Sequence, residues 1–285
     1  MSRRMRAYYY AVLGAIGGLV GWQLSNILGL SFSRSIYLSD VVVGGLLGIC
    51  LGVPLGAAEE LVTMSPLRAL RAGLYGGIVG LIAGGIGLPI AEAIFQIVGA
   101  GGIGRGIGWG FFGMLIGLAE GVTGGSQMWK GAIGGALGGF IGGTLLETVN
   151  FWGEDLTSGK ATGLVLLGAF IGALIALIVV LLSRAWLEVT SGKLKGNTFI
   201  LDKFLPDGGP TAIIGSSPLK SEIALPDPDV DPQHAMLIGG GSHFTLKDMS
   251  LSGTYVNSRK IERTQLGNGQ TIRMGNTSLK YHERR

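Results

Sequence analysis

Charged residues are scarce in this sequence. They make up 14% of its 285 residues, whereas soluble domains carry roughly 25%. The mean hydropathy of +0.49 is typical of membrane proteins. The net charge of +4 is small, and no basic run is interleaved with aromatic residues as on an RNA-binding surface. The composition therefore predicts a protein whose partner is the lipid bilayer and that has no nucleic-acid partner.

Residues that carry chemistry are equally few. The single cysteine, Cys50, has no partner for an internal disulfide and lies in an apolar run, where a small buried side chain is expected. The three histidines, His234, His243 and His282, do not have a metal-binding spacing. The sequence contains no P-loop, no C-x-x-C pair and no G-x-S-x-G motif. We therefore predict a protein that is not an enzyme and that holds neither a metal nor a cofactor.

Long apolar runs fill the N-terminal part of the chain. A membrane-spanning helix needs about 20 apolar residues, and six stretches meet this length. They lie near residues 8–29, 41–60, 72–98, 106–122, 130–150 and 162–184. The fold class that we predict is a multi-domain membrane protein, with an all-α transmembrane domain in 1–185 and an all-β domain in 186–285.

Basic residues are distributed unevenly between the predicted loops. One side of the predicted bundle carries most of them: Arg3, Arg4, Arg6, Arg68, Arg71, Lys130 and Arg184. The other side carries Arg34, Arg105 and Lys160. Because positively charged loops remain in the cytoplasm, we expect both termini to be cytoplasmic. The pattern thus predicts the orientation of a multi-pass protein, and the compactness of the chain favours the plasma (inner) membrane over an organelle.

Many of the 53 glycines recur every four residues. They form ridges in the second, third and fifth spans: Gly44, Gly48, Gly52 and Gly56; Gly76, Gly80 and Gly84; Gly131, Gly135, Gly139 and Gly143. Such ridges let helix backbones approach closely in lipid. The glycines therefore predict a tightly packed bundle, within one chain or between the copies of a homo-oligomer.

An internal repeat accompanies the glycine ridges. Residues 52–59 and 113–120 share the pattern G-x-x-x-G-x-A-E, and the spans that follow them also agree in the spacing of glycine and glutamate. Spans two and three therefore resemble spans four and five. Internal repeats are common in transporters, but simple bundles also arise by duplication. The repeat leaves both interpretations open.

The repeat places four acids near the C-terminal ends of helices: Glu59, Glu92, Glu120 and Glu147. The helix macrodipole disfavours anions at this end, and acids within membrane spans are candidates for functional sites. The functional interpretation is a small channel or transporter. The structural interpretation is that these side chains reach the headgroup layer or bond to a neighbouring helix.

The C-terminal part alternates apolar and polar residues, with turns about every 8–12 residues, which predicts an all-β sandwich. Three of its stretches carry recognisable motifs: "AIIGSS" (212–217), "LPDPDVDPQHA" (225–235) and "SLSGTYVN" (250–257). In order and spacing, the motifs of this region resemble those of the forkhead-associated (FHA) domain from residue 186 to about 283. The resemblance implies an eleven-stranded β-sandwich whose loops at one end bind phosphothreonine peptides.

The residues at the phosphate-binding positions of the family differ in this chain. The arginine that follows the I-G step in the family is Ser216 here. The serine and the arginine of the S-R-x-H loop are Asp231 and Pro232. The asparagine of the S-x-N-G-T loop is Ser252. The resemblance therefore implies a loop face that has lost its contacts to phosphate.

Other positions of these motifs are kept, and they resemble the scaffold of the family. They are His234, Gly253 and Thr254. A lysine in the neighbouring loop could still supply a residual cation. The candidate peptide-binding residues are therefore Ser216, Ser217, Lys220, Asp231, His234, Ser252, Gly253 and Thr254.

Charge decides what such a loop face can bind. A phosphate carries about −1.5 to −2 charges and is usually held by arginine forks, whereas Asp231 would repel it. We therefore predict an integral membrane scaffold or adaptor with a degenerate cytoplasmic FHA domain. It would associate with a cytoplasmic or membrane protein independently of phosphate. The alternative is a small channel or transporter, or a subunit of a larger membrane complex, in which the FHA domain regulates or assembles.

Overall fold

The structure is a computed structural model that describes residues 3–29, 36–62, 66–98, 102–123, 128–152 and 156–284. Within these residues, six helices precede a β-sandwich of eleven strands. The chain divides into two compact units, with the helical unit in Arg4–Leu181 and the sandwich unit starting at Leu182. The predicted order of an all-α part followed by an all-β sandwich is confirmed.

The helices are α1 (Arg3–Ile27), α2 (Ile36–Val62), α3 (Pro66–Val98), α4 (Gly102–Thr123), α5 (Met128–Trp152) and α6 (Leu156–Leu181). Among the described residues, α2, α3, α5 and α6 contain stretches long and apolar enough to cross a membrane. The apolar part of α4, Ile103–Ala119, is shorter. The six predicted spans are thus six helices, of which four meet this criterion. Arg34, which contributed to the predicted orientation, lies outside the described residues.

Helices α2 and α3 approach each other through glycine. A Cβ atom added at Gly48 would overlap the carbonyl oxygen of Gly80, and one added at Gly44 would overlap that of Gly84. The helices run antiparallel, since the glycine at each successive position of α2 meets an earlier one of α3. No residue with a β-carbon fits at these contacts without moving a backbone, so the glycine spacing in the sequence fixes the packing distance of this pair.

The same kind of contact recurs in two further antiparallel pairs. In α4 and α5, Gly117 lies against Gly131. In α1 and α6, Gly14 lies against Gly168, and Gly172 lies against the carbonyl of Tyr10. The first and last helices of the unit are therefore packed as closely as the helices within the two hairpins.

The strands are β1 (Ala185–Ser191), β2 (Thr198–Ile200), β3 (Ala212–Gly215), β4 (Ile223–Ala224), β5 (Ala235–Gly239), β6 (Phe244–Asp248), β7 (Thr254–Val256), β8 (Arg259–Ile261), β9 (Arg263–Gln265), β10 (Thr271–Met274) and β11 (Thr277–Glu283). One sheet has the order β2-β1-β11-β10-β7-β8, and the other has the order β4-β3-β5-β6-β9. Only β3 and β4 pair in parallel among these described strands. The eleven strands agree with the number that the FHA resemblance implied.

The core of the sandwich comes from residues of this unit alone. Alternating side chains of both sheets are buried, among them Leu187, Ile214, Leu237, Ile272 and Tyr281. Complete burial of such a side chain contributes about 1.5–3 kcal/mol. The sandwich therefore has a hydrophobic core of its own, which holds the loops at its two ends in place.

A buried carboxylate accepts two backbone N–H groups at the start of the sandwich. Asp202 is buried, and its Oδ1 accepts the N–H of Arg184 at 2.9 Å and that of Ala185 at 3.0 Å. The helix α6 ends at Leu181, three residues before the predicted end of the sixth span. The N–H groups of Arg184 and Ala185 are bonded to Asp202, so they belong to the start of β1 and do not continue the helix.

Candidate functional site

Three loops meet at one end of the sandwich, and we call residues 216–222, 225–234 and 249–253 together the loop end. The N–H of Ser216 donates to the carbonyl of Asp231 at 2.9 Å. The N–H of Met249 donates to the carbonyl of His234 at 2.9 Å. The side chain of Gln233 donates to the carbonyl of Lys220 at 3.3 Å. Two backbone bonds and one side-chain bond therefore hold the three loops together.

His234 organises the middle loop from inside the domain. Its side chain is fully buried, and its ring Nδ1 accepts the N–H of Asp231 at 3.1 Å. Its own N–H donates to the carbonyl of Ile214 at 2.8 Å. Because the ring is buried and its Nδ1 is bonded to the loop that carries it, His234 positions the loop end and does not offer a surface to a peptide.

Asp231 makes a bond that sequence reasoning missed. Its Oδ2 accepts the backbone N–H of Leu251 at 2.8 Å, which joins the loop 225–234 to the loop 249–253. The carboxylate thus occupies a backbone donor at the place where the three loops meet. An anion of the chain itself is the acceptor of this N–H, so a phosphate that approached it would have to displace Asp231 and would meet its charge.

The loop 249–253 is folded around Asp248 at the end of β6. The Oδ1 of Asp248 accepts the N–H of Ser250 at 3.1 Å, its hydroxyl at 2.7 Å, and the hydroxyl of Thr254 at 2.8 Å. Burial alone would raise the pKa of Asp248, but these bonds from Ser250 and Thr254 hold it below its ordinary value. Thr254 is fully buried. The structure therefore places this predicted peptide-binding residue inside the scaffold.

Gly253 occupies a backbone conformation that favours glycine, with φ of +91°. A Cβ atom at this position would lie 2.8 Å from the Nζ atom of Lys260 on β8. Lys260 is paired with Tyr255 in the register of β7 and β8. The exposed side chain of Lys260 thus brings a cation to the loop end, which the motifs of the sequence do not reveal because the residue follows them in a separate strand.

The remaining candidates lie at the surface of the loop end. Lys220 and Ser252 are exposed, and Ser216 and Ser217 are half-buried. Two leucines, which the sequence analysis did not single out, stand beside them: Leu251 is 98% exposed and Leu219 is 70% exposed. The sequence signal for them is an apolar residue within a run of turn residues. A partner would therefore meet hydroxyl groups and aliphatic side chains.

A second carboxylate fixes the loop 225–234 to the turn between β10 and β11. The Oδ2 of Asp227 accepts the hydroxyl of Thr277 at 2.8 Å and the N–H of Asn276 at 3.0 Å. Burial alone would raise the pKa of Asp227, but these hydrogen bonds, that from the N–H of Asp229, and the charge of Lys193 hold it below its ordinary value. This aspartate has a structural role.

The loop end has the chemistry of a peptide surface without a phosphate clamp. None of the three loops contains arginine. Lys220 belongs to one of them, and Lys193 and Lys260 approach them from other parts of the sandwich. A guanidinium fork is what usually gives phosphate recognition its strength and geometry. Backbone groups, hydroxyls and exposed leucines can hold a peptide, but they discriminate weakly in favour of a phosphorylated one.

The acids predicted within the helical unit have separate partners. Glu59 forms an ion pair with Arg6 of α1. Glu147 forms one with Arg105 of α4 at 3.0 Å. The amide of Gln96 donates to Glu92 within α3 at 3.4 Å. The side chain of Glu120 lies outside the described residues. Two of the four acids thus bond to a neighbouring helix, and the described residues contain no group of three or more acids, histidines or cysteines that could hold a metal.

The fold and the loop end together define a β-sandwich interaction module. Residues 212–275 match the FHA domain family, so the C-terminal unit of this chain contains an FHA domain. The FHA resemblance is confirmed. The helical unit lies outside the matched residues and is not assigned to a family by them.

Similar proteins include the glycogen accumulation regulator GarA of Mycolicibacterium smegmatis. It is 35% identical over 96 residues, and the match covers 33% of this chain and 56% of GarA. An FHA domain of a Chlamydia trachomatis protein is 30% identical, with a TM-score of 0.33 over 36% of this chain and 100% of that one. A domain solved in a study of phosphothreonine-dependent FHA interactions is 26% identical, with a TM-score of 0.31 over 36% of this chain and 98% of that one. The match thus spans little more than half of the length of GarA.

Proposed function

We propose that this protein is an integral membrane scaffold that presents its FHA domain to the cytoplasm for association with a protein partner independently of phosphate. The bond between Asp231 and the N–H of Leu251 carries this proposal. In this bond the Asp231 carboxylate places an anion of the chain itself at the loop end. Ser216 replaces the arginine with which the family would bind the phosphate of a partner. The FHA domain supports the interaction function, and this substitution of charges supports the loss of phosphate dependence.

The membrane location is supported by the helical unit. Four of its helices are apolar enough to span a bilayer, and aliphatic side chains on α3 such as Leu74, Ile78 and Ile82 are more than half exposed. Lipid or a second copy of the chain would cover them. Because Glu59 and Glu147 are paired with arginines, these acids favour a packed scaffold over a channel.

A binding comparison tests the phosphate independence. The full chain in neutral detergent is used to capture partners from the same extract before and after phosphatase treatment. We expect the same partners in both cases. A set of partners that disappears entirely after phosphatase treatment would refute the proposal.

A variant that restores the family pattern sharpens this test. Ser216→Arg, Asp231→Ser and Pro232→Arg together return the cations and remove the internal anion. We expect the triple variant to bind a phosphothreonine peptide library at least tenfold more tightly than its unphosphorylated copy, since charge-assisted hydrogen bonds contribute about 1.5–3 kcal/mol each. The wild-type chain should not distinguish the two libraries. If the wild-type chain preferred the phosphorylated library as strongly as the triple variant does, the native loop end would read phosphate.

A further inference from the structure

Two cations border the loop end on the outer face of the six-stranded sheet. The register places Lys260 of β8 and Arg273 of β10 on either side of Tyr255 of β7. Val256 and Ile272, the chain neighbours of Tyr255 and Arg273, are buried in the core. Because successive side chains of a strand point to opposite faces, Tyr255 and its two partners lie on the outer face. We call Lys260, Tyr255 and Arg273 the cationic strip.

The aromatic ring of Tyr255 supports one of these cations. The guanidinium carbon of Arg273 lies 4.5 Å from the centroid of the ring, and a cation over an aromatic face is attracted by it. Lys260 and Arg273 are exposed, and neither forms an ion pair within the part of the chain that the structure describes. The strip therefore presents two positive charges to solvent.

The cationic strip is continuous with the loop end. The side chain of Lys260 reaches back along β7 toward Gly253, where an added Cβ atom would lie 2.8 Å from its Nζ atom. Leu251 stands two residues before this glycine and is 98% exposed. The N–H of Leu251 is held by Asp231, so the position of its backbone is fixed. A segment that covers the loop end can therefore contact an exposed leucine and two cations at once.

Most acids around the strip are engaged within the domain. Those of the loop end accept hydrogen bonds from N–H or amide groups: Glu222, Asp227, Asp229 and Asp231. Glu262, which follows β8, is exposed, and its carboxylate has no such donor among the described residues. Glu262 offsets part of the charge of Lys260, so its removal should make the strip more cationic.

We propose that the cationic strip and Leu251 dock an acidic segment of the protein partner that carries an aliphatic residue beside its acids. This inference rests on the proposed function, because it names the chemistry of the partner that the loop end would bind without phosphate. Carboxylates complement the charge of Lys260 and Arg273, and an aliphatic side chain would remove Leu251 from water.

The spacing of the two cations suits an extended segment. Neighbouring strands lie about 4.8 Å apart, so the backbones at Lys260 and Arg273 are about 10 Å apart, whereas acids at alternate positions of an extended segment are about 7 Å apart. The long side chains of lysine and arginine can close this difference. Two acids on one side of the segment can therefore pair with the two cations.

The test exposes the immobilised full chain, in neutral detergent, to a degenerate library of unphosphorylated peptides and sequences those that are retained. We expect aspartate and glutamate to be enriched at least about threefold over neutral residues, as two exposed ion pairs predict, with an aliphatic residue beside them. The enrichment should fade at high salt, because exposed pairs are screened. Retained peptides without acids, or no retained peptides, would overturn this inference alone. The phosphatase comparison decides the proposed function separately.

Charge reversal locates the preference for acids. Lys260→Glu with Arg273→Glu should replace the enrichment of acids by an enrichment of basic residues. The matched control is Lys247→Glu with Arg263→Glu, since these residues are also exposed and lie opposite each other, between β6 and β9 of the other sheet. The control changes the net charge equally and should keep the wild-type preference. Equal changes in both double variants would assign the effect to net charge and contradict the strip.

Two single variants complete the test. Glu262→Gln should raise the enrichment of acids about twofold, a gain that a misfolded domain would not produce. Leu251→Ser should remove the preference for an aliphatic residue and leave the preference for acids. An unchanged selection in both variants would overturn the proposed surface. Equal retention of a single-stranded oligonucleotide would assign the strip to polyanions of any kind and overturn its assignment to a protein segment.

Discussion

Glycine is used in opposite ways in the two units of this molecule. In the helical unit, a methyl group added at Gly48 would overlap the backbone of the neighbouring helix at Gly80. In the sandwich, Gly196 has φ of +86°, and an added methyl group would meet no atom within 4 Å. The first glycine is needed for lack of space between helices, and the second for the conformation of its own backbone. A glycine count alone therefore says nothing about why a position excludes other residues.

The largest effect is expected at the helix contacts. Gly84→Ala places a methyl group onto the carbonyl of Gly44, whereas Gly85→Ala, one residue later, meets its nearest atom, the carbonyl oxygen of Val41, at 3.4 Å. We expect Gly84→Ala to destabilise the helical unit by about 3 kcal/mol, the upper part of the usual range for overpacking. Gly85→Ala should change stability by less than about 1 kcal/mol. Unfolding of the full chain in mixed detergent measures both, and equal losses would contradict the backbone contact.

An intermediate effect is expected at the hydrogen-bonded carboxylates of the sandwich. The glycine contacts between the helices contain no such groups. Asp227→Asn removes an anion that accepts hydrogen bonds from Asn276 and Thr277. We expect a loss of about 2 kcal/mol in the unfolding free energy of the fragment 182–285, since a buried charged acceptor is replaced by a weaker one. Chemical denaturation at pH 7 measures it, and a change below about 0.5 kcal/mol would count against this role.

The same carboxylates give the sandwich a defined pH dependence. The pKa values of Asp227 and Asp248 are held below their ordinary value in the folded domain, so both groups stabilise the fold above the unfolded pKa of about 3.9. This contribution is lost as the pH falls from about 5 through the folded pKa values. The Asp227→Asn variant should show a shallower loss of stability over this range. Parallel curves for the variant and wild type would exclude Asp227 as a source of the slope.

The smallest effect is expected at Gly253. Gly253→Ala forces alanine into the left-handed region, which costs about 1–2 kcal/mol, while the contact with the flexible side chain of Lys260 is easily relieved. Gly267 is a matched control, because an added methyl group there lies 3.7 Å from its nearest neighbour and its φ is ordinary. Denaturation of 182–285 should therefore show a loss for Gly253→Ala alone. If Lys260→Ala rescued Gly253→Ala, sterics and not backbone conformation would be the cause.

Patterns that repeat along the chain were sufficient to predict much of the fold. Apolar runs predicted six helices, and the FHA motifs predicted the sandwich, with His234 among the positions that resemble its scaffold. The end of α6 was misplaced because it is decided by Asp202, a residue of the following domain that no helical pattern reports. All six predicted spans are helices, and among the described residues four of them are apolar and long enough to cross a membrane.

The site was predicted less completely because its bonds join distant residues. The sequence analysis placed Asp231 at the loop end, but its bond to Leu251 depends on the approach of two loops twenty residues apart. The pairing of Glu59 with Arg6 depends in the same way on the packing of α1. Thr254 was treated as a surface residue because the motif gives its position and not the direction of its side chain.

The contact between α1 and α6 also constrains the order of events during synthesis. Gly14 meets Gly168, so the partner of this face of α1 is made about 150 residues later, which takes roughly 8–30 s at ordinary rates of translation. The face that carries Gly17 and Gly21 can pack on α2 much earlier, against Leu51 and Leu47. The contact between α1 and α6 is therefore the last helix contact of the unit to form. A ribosome that stalls before α6 leaves this face of α1 without its partner.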